Sequence, residues 1–189
     1  MVAFANGSGM RNALILLLSV AAVIAVVGIF GSYLGQSGAG LRAGSGPATL
    51  AGAPAVSYPI KRLDGATDAL DRYRGKVVVL NLWATWCAPC RDETPALERL
   101  YEENRSRGLV VLGVDQGESA EKASAFAKEF GLHYPVLLDQ EQLYGRAYAS
   151  IGMPTTVIID RQGRIVRGID GAMTLAQMRD AIALVLHAR

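Results

Sequence analysis

Cysteine and histidine are scarce in this chain of 189 residues, which contains two of each. A structural zinc site needs four ligands, whereas Cys87 and Cys90 supply two, and His133 and His187 show no matching ligand spacing. The two cysteines are also too close together in sequence to join distant parts of a fold. We therefore expect no metal and no cofactor, and redox chemistry explains the C-x-x-C pair better.

An excess of charge of one sign is missing from most of the chain. Of the 19 Lys and Arg residues, Arg11 and Arg42 precede the rest, so residues 43–189 hold 17 basic and 17 acidic side chains. A neutral domain lacks the basic field that gathers phosphates. Nucleic-acid binding therefore has no support, and no internal repeat is present.

Charged residues are absent from residues 13–34, a run of 22 residues that is long enough as a helix to cross a hydrocarbon core of roughly 30 Å. A cleaved signal peptide is the competing interpretation, but its apolar region is typically about 7–15 residues long. We predict a cytoplasmic tail at 1–12, a single-pass signal-anchor helix at 13–34, a flexible Gly/Ala/Ser-rich linker at 35–56 and one folded domain at 57–189. Because an N-terminal apolar signal usually directs export of the downstream chain, we expect this domain on the periplasmic side of the cytoplasmic membrane.

The pattern within the domain alternates between strands and helices. Apolar runs predict strands and amphipathic spacing predicts helices, and the last two strands form a hairpin around the turn 160–163. This order predicts an α/β fold with a mixed sheet and helices on both faces. The predicted strands are 59–63, 76–83, 109–114, 135–138, 155–159 and 164–169, and the predicted helices are 88–107, 119–130, 141–148 and 174–187.

The segment WATWCAPC places Cys87 where a buried strand ends and a helix begins. Backbone N–H groups and the helix dipole stabilise a thiolate at that position, and the thiolate is the nucleophile. We expect Cys87 to attack first and Cys90, one turn further on, to resolve the mixed disulfide. Pro89 should stiffen the loop, and Trp86 should shape the rim of the site. Two buried cysteines without a redox role are the alternative.

This motif resembles the active site of the thioredoxin superfamily, and the resemblance extends over residues 57–187. Pro95 matches the proline that kinks the active-site helix of thioredoxins. Met153, Pro154 and Thr155 resemble the cis-proline loop, which in that family faces the cysteine pair and pairs with a bound peptide backbone. An ordinary proline at the start of a strand is the alternative for Pro154.

A longer insertion and the predicted anchor make the chain similar to the ResA/TlpA/CcmG subgroup of exported thioredoxin-like proteins. Asn81 stands where thioredoxins usually have a buried acid. The segment VDQGES resembles a subgroup segment whose glutamate lies near the cysteines, which makes Glu118 the candidate acid–base group. Its carboxylate would raise the thiol pKa values. Alternatively, Glu118 belongs to the first turn of a helix capped by Gly117 or Ser119.

The subgroup resemblance implies a protein-disulfide oxidoreductase that reduces disulfides in exported clients and is re-reduced by a membrane electron donor of the thiol-reducing type. Apocytochrome c, in cytochrome c maturation, is the leading client class, and copper-site proteins of cytochrome oxidase assembly compete with it. A peroxiredoxin-like peroxidase and a non-enzymatic copper carrier are alternatives from other classes. The residues before Cys87 lack the Pro-x-x-x-Thr pattern of a peroxidatic cysteine.

Overall fold

A continuous apolar run forms the central strand of the domain. The computed structural model describes residues 50–187, and every residue of strand β3 (Val77–Trp83) is buried. Strand β4 (Leu109–Gln116) pairs with β3 in parallel, and strand β6 (Thr155–Ile159) pairs with it antiparallel. Helices or loops therefore cover both faces of β3, which explains its lack of polar alternation.

The other elements extend this centre into a mixed sheet. The remaining strands are β1 (Ile60–Arg62), β2 (Thr67–Asp68), β5 (Val136–Asp139) and β7 (Ile165–Asp170). In residues 50–187 the strand order is β2-β1-β5-β4-β3-β6-β7, with β3, β4 and β5 mutually parallel and the remaining neighbours antiparallel. The predicted α/β fold and the closing hairpin are confirmed. The helices are α1 (Ala88–Asn104), α2 (Ala120–Glu129), α3 (Leu143–Ala147) and α4 (Leu175–His187).

The two faces of the sheet have different covers. Helices α1, α2 and α4 contribute side chains to the core of one face, where the ring of Trp83 stacks on Phe126 with centroids 4.3 Å apart. The short helix α3 covers the other face through the buried rings of Tyr144 and Tyr148, together with Leu70 of a 3₁₀ helix. The prediction of helices on both faces is confirmed.

Several element boundaries differ from the sequence prediction. Strand β4 extends two residues further, through Asp115 and Gln116, because the Gln116 amide finds a buried acceptor in Asp139 at 3.1 Å. The carboxylate of Asp139 also accepts the N–H groups of Leu143 and Tyr144. This capping starts α3 two residues later than predicted. Strand β2 and the 3₁₀ helix at Leu70–Tyr73 are too short and too polar to be recognised from the sequence.

The chain enters the described domain along β7. The N–H of Gly52 donates to Ile165, the N–H of Ala55 donates to Gly163, and Pro54 forms a bridge with Arg164. The sequence prediction assigns these residues to the linker, whereas the structure attaches them to the sheet. The tail and membrane helix predicted at 1–34 lie outside the described residues, and none of the helices in residues 50–187 has the length and apolar character needed to cross a bilayer.

Candidate active site

The cysteine pair lies where β3 ends and α1 begins. Cys87 is the N-cap of α1, its Sγ accepts the N–H of Cys90 at 3.2 Å, and the two sulfurs form a disulfide. Both cysteines are buried, with 4% of Cys87 and 2% of Cys90 exposed. Pro89, which lies between the two cysteines, is exposed, and Trp86, which directly precedes Cys87, is 70% exposed. A protein partner would therefore meet Trp86 and Pro89 before it reaches a sulfur.

The Met153–Pro154 loop leads into β6, the strand that pairs with the last residues of β3 before the cysteine motif. The peptide bond between Met153 and Pro154 is cis, as the resemblance implies. Because Thr155 pairs with Leu82, Pro154 is held next to the end of β3, and Met153 packs against the core cluster that contains both cysteines. Thr155 itself is fully buried. Its hydroxyl, 2.7 Å from the carbonyl of Gly152, holds the loop together and is not exposed to a partner.

A cavity of about 580 Å³ opens next to the same loop. Its lining includes Met153 and Ile151 from the loop, together with Gln116 and Arg146. Ile151 is 65% exposed. The cavity thus continues the surface of the cis-proline loop towards α3 and offers both apolar and cationic side chains.

Glu93 is a buried acid at the site that sequence reasoning missed. It lies in α1, one helical turn after Cys90, and 2% of it is exposed. Its Oε1 accepts a hydrogen bond of 3.1 Å from the amide of Asn81, and its Oε2 accepts the N–H of Met173. Asn81 also donates to the hydroxyl of Thr156. A carboxyl group is therefore present beside Asn81, carried by the helix instead of the strand.

Burial raises the pKa of Glu93 to about 7, although hydrogen bonds to Met173 and Thr156 act in the opposite direction. At neutral pH this group can therefore both donate and accept a proton. The spacing of Glu93 could have revealed it, because Cys90, Glu93 and Leu97 follow an i, i+3, i+7 pattern that faces the core. A glutamate on such a face is rarely fully buried unless its carboxyl group has a partner.

Glu118 lies against the loop that leads to Cys87. Its carboxylate accepts the backbone N–H of Thr85 at 2.5 Å and the hydroxyl of the same residue at 2.8 Å. Burial alone would raise the pKa of Glu118, but the hydrogen bonds from Thr85, the contact with Asp115 and the charge of Lys122 outweigh it and lower the pKa. Ser119 caps α2, so Glu118 precedes that helix and is not in its first turn.

His133 belongs to a surface contact remote from the cysteine motif in sequence. Its ring Nδ1 lies 2.8 Å from Glu98 Oε1, and its backbone N–H donates to Glu98 Oε2. Glu102 completes a group whose three possible ligand atoms lie within 4.8 Å of one another. The paired contacts with Glu98 fasten the loop before β5 to α1, which is a structural role.

The fold and the site together define a thiol–disulfide oxidoreductase of the thioredoxin superfamily. Residues 51–167 match the AhpC/TSA family. The chain belongs to that family, and the resemblance inferred from WCAPC and the cis-proline loop is confirmed.

Curated relatives and solved structures agree with this assignment. The chain is 37% identical over 127 residues to the thiol-disulfide oxidoreductase ResA of Geobacillus thermodenitrificans, covering 67% of this chain and 73% of the relative. It is 33% identical over 134 residues to ResA of Bacillus subtilis, with coverage of 71% and 75%. Among solved structures it is similar to a thioredoxin-family thiol:disulfide interchange protein of Chlorobium tepidum, with a TM-score of 0.64, 29% identity and coverage of 70% and 95%. A secreted thiol-disulfide isomerase of Corynebacterium glutamicum matches with a TM-score of 0.66, 26% identity and coverage of 71% and 86%.

Proposed function

We propose that this protein reduces disulfides in exported client proteins, with apocytochrome c as the leading client class. The observation that carries the proposal is the Cys87–Cys90 pair at the start of α1, together with the cis Pro154 loop. In the reduced protein, the helix N-terminus stabilises the Cys87 thiolate. The similarity to relatives named thiol-disulfide oxidoreductase supports the reaction, whereas the client class rests on the subgroup resemblance found in the sequence.

The proposed reaction transfers two electrons from the protein to the client. The Cys87 thiolate attacks one sulfur of a client disulfide, so that a Cys87–client bond forms and the first client thiolate leaves. The Cys90 thiolate then attacks Cys87 Sγ, which releases the second client thiolate and forms the Cys87–Cys90 disulfide. A membrane electron donor of the thiol-reducing type would restore the dithiol.

Two carboxyl groups would serve this reaction. Cys90 must lose its proton before it attacks, and Glu93, one helical turn away with a pKa near 7, is a suitable acceptor. Glu118 holds Thr85, two residues before Cys87. An acid–base role for Glu118, predicted from the sequence, remains a proposal that stands beside this structural contact.

Client binding is assigned to the surface around the sulfurs. Trp86, Pro89 and Met153 would contact the polypeptide near its disulfide, and the backbone at Pro154 would pair with it. The cavity beyond Met153 gives room for a client side chain. Thr155 would act indirectly by keeping the loop in place.

The location of the domain is inferred from the sequence prediction. The predicted signal-anchor helix at 13–34 and the part of the predicted linker that precedes the sheet-bound residues 52–55 would hold the domain on the periplasmic side of the cytoplasmic membrane. The name of the secreted neighbour from Corynebacterium glutamicum is consistent with an exported domain.

A trapping experiment in cells tests the proposal and its division of roles. The Cys90→Ala variant should accumulate mixed disulfides with clients, because Cys87 can still attack but no second thiolate is present to release the client. The Cys87→Ala variant is the matched control and should trap few. Apocytochrome c among the trapped proteins would support the leading client class, copper-site proteins would favour the alternative, and equal trapping by both variants would show that the roles are assigned wrongly.

A redox titration tests the direction of electron flow. We expect a potential below the value of about −180 mV that is typical of a disulfide isomerase. A value near about −120 mV, which characterises strong dithiol oxidants, would rule out the reductant assignment. Rapid turnover of hydrogen peroxide would favour a peroxidase instead, and tight Cu(I) binding without disulfide exchange would favour a copper carrier.

A further inference from the structure

Asp115 is a fully buried acid that the proposed reaction does not use. It lies in β4 beside Trp83, and none of it is exposed. Its Oδ1 accepts the N–H of Glu118 at 3.0 Å, whereas its Oδ2 has no hydrogen-bond partner within residues 50–187. An ionised carboxylate with an unpaired oxygen is costly in a protein interior. Burial, with the nearby Glu118 and Asp139 carboxylates contributing, accordingly raises the pKa of Asp115 to about 7.

A chain of hydrogen bonds connects Asp115 to the active-site loop. Asp115 receives the N–H of Glu118, and the Glu118 carboxylate receives both the N–H and the hydroxyl of Thr85. Thr85 lies two residues before Cys87. The loop between β3 and α1 is therefore fastened to the end of β4 by two acids, only one of which contacts the loop directly.

Negative charges outnumber positive charges around these hydrogen bonds. Lys122 in α2 lies 4.0 Å from Glu118, while Asp139 at the end of β5 adds a further acid that acts on Asp115. Glu118 retains its charge because its hydrogen bonds and Lys122 stabilise it. Ionisation of Asp115 would place a second negative charge beside Glu118, with one lysine to compensate for both.

We propose that Asp115 is a positioning residue for Cys87: its neutral form holds Glu118 against Thr85, and its ionisation lowers the reactivity of the Cys87 thiol. Two effects act in the same direction. Repulsion between the carboxylates weakens the contact with Thr85, and the added negative charge disfavours the thiolate. The inference rests on the proposed function in so far as Cys87 is the nucleophile.

The test measures the rate at which iodoacetamide alkylates Cys87 in the reduced full-length protein between pH 5.5 and 8. Asp115→Asn keeps an acceptor for the Glu118 N–H and cannot ionise. We expect the ratio of its rate to that of the unmodified protein to be near one at pH 5.5 and to rise to about threefold at pH 8, the effect of one charge at intermediate distance. Because a ratio is compared, titration of Glu93 affects both proteins alike, and the ratio reports the effect of Asp115 ionisation on the Cys87 thiol.

The exposed Asp180→Asn variant is the matched control, and its ratio should stay near one throughout. A ratio for Asp115→Asn that does not change with pH would overturn the proposal, even if the variant is less stable. If that variant does not fold, the amide resonance of Thr85 in the unmodified reduced protein provides a second measurement. We expect it to titrate between pH 5.5 and 8, and a pH-independent resonance would refute the coupling. Alkylation needs no client, so a failure here is distinct from a failure of disulfide exchange.

Discussion

Replacing Glu93 by Gln should change how the stability of the protein depends on pH. Gln has the shape of the protonated acid and can accept from Asn81 or Met173, but it cannot ionise. In the unfolded chain Glu93 loses its proton near its ordinary pKa of 4.5, whereas in the folded protein it keeps it up to about 7. Between these values the folded state binds more protons than the unfolded state, so its stability falls as the pH rises.

The size of this effect follows from the difference between the two pKa values. Raising the pKa of one group from 4.5 to about 7 corresponds to about 3 kcal/mol. The parent protein should therefore lose about 3 kcal/mol more stability than E93Q between pH 4 and pH 8. The loss begins above the unfolded pKa and is complete above the folded one.

Urea unfolding of the oxidised protein at pH 4, 6 and 8 measures this difference. The disulfide is kept intact so that the thiols do not titrate. Other groups, including Asp115, contribute to both proteins and cancel in the comparison. Parallel loss of stability in the two proteins would show that Glu93 ionises like an ordinary surface carboxylate, and the proton-accepting role proposed for it would then lack its basis.

Four further substitutions separate packing from partner binding. Gly113→Ala should lower the free energy of unfolding in urea by about 2 kcal/mol, because the added Cβ would lie 2.8 Å from the Tyr134 ring. Gly152→Ala is its control: the added Cβ has no atom within 4 Å, so the loss should be less than about 0.5 kcal/mol. Trp86→Ala should leave stability within about 0.5 kcal/mol but raise the KM for a protein disulfide roughly fivefold, and an unchanged KM would remove Trp86 from the client surface. Thr155→Val should cost about 1–2 kcal/mol and slow client reduction through the loosened loop; an unaltered stability would mean that its hydroxyl does not hold the loop.

The sequence was sufficient to predict the parts of the fold that local pattern determines. The apolar run Val77–Trp83 has one stable environment, between covered faces, and the closing hairpin follows from its turn residues. The cysteine pair was also predictable, because a strand end followed by a helix start is visible in the pattern. The local pattern does not predict which residue, on another strand or helix, each polar side chain contacts.

The acids of the site illustrate this limit. Glu118 was found through a short resemblance, but its contact with Thr85 joins residues 33 positions apart. The helical spacing of Glu93 indicates a core-facing position, whereas Asp115 looks like an ordinary polar residue at the end of a strand, and the packing shows that both are buried. The Glu93 carboxyl group lies against Asn81, which stands where thioredoxins usually have a buried acid.

The point at which the chain joins the domain determines how the protein can be handled and held. Residues 52–55 lie against the β6–β7 turn, and the register of β6 with β3 places that turn at the Val77 end of the central strand. The seven residues of β3 span about 20 Å before the loop that carries Cys87. An affinity tag, a bead or a lipid surface attached upstream of residue 50 is therefore connected to the domain at the end of the sheet that is remote from the sulfurs. Large disulfide-containing proteins should remain able to bind to an immobilised sample.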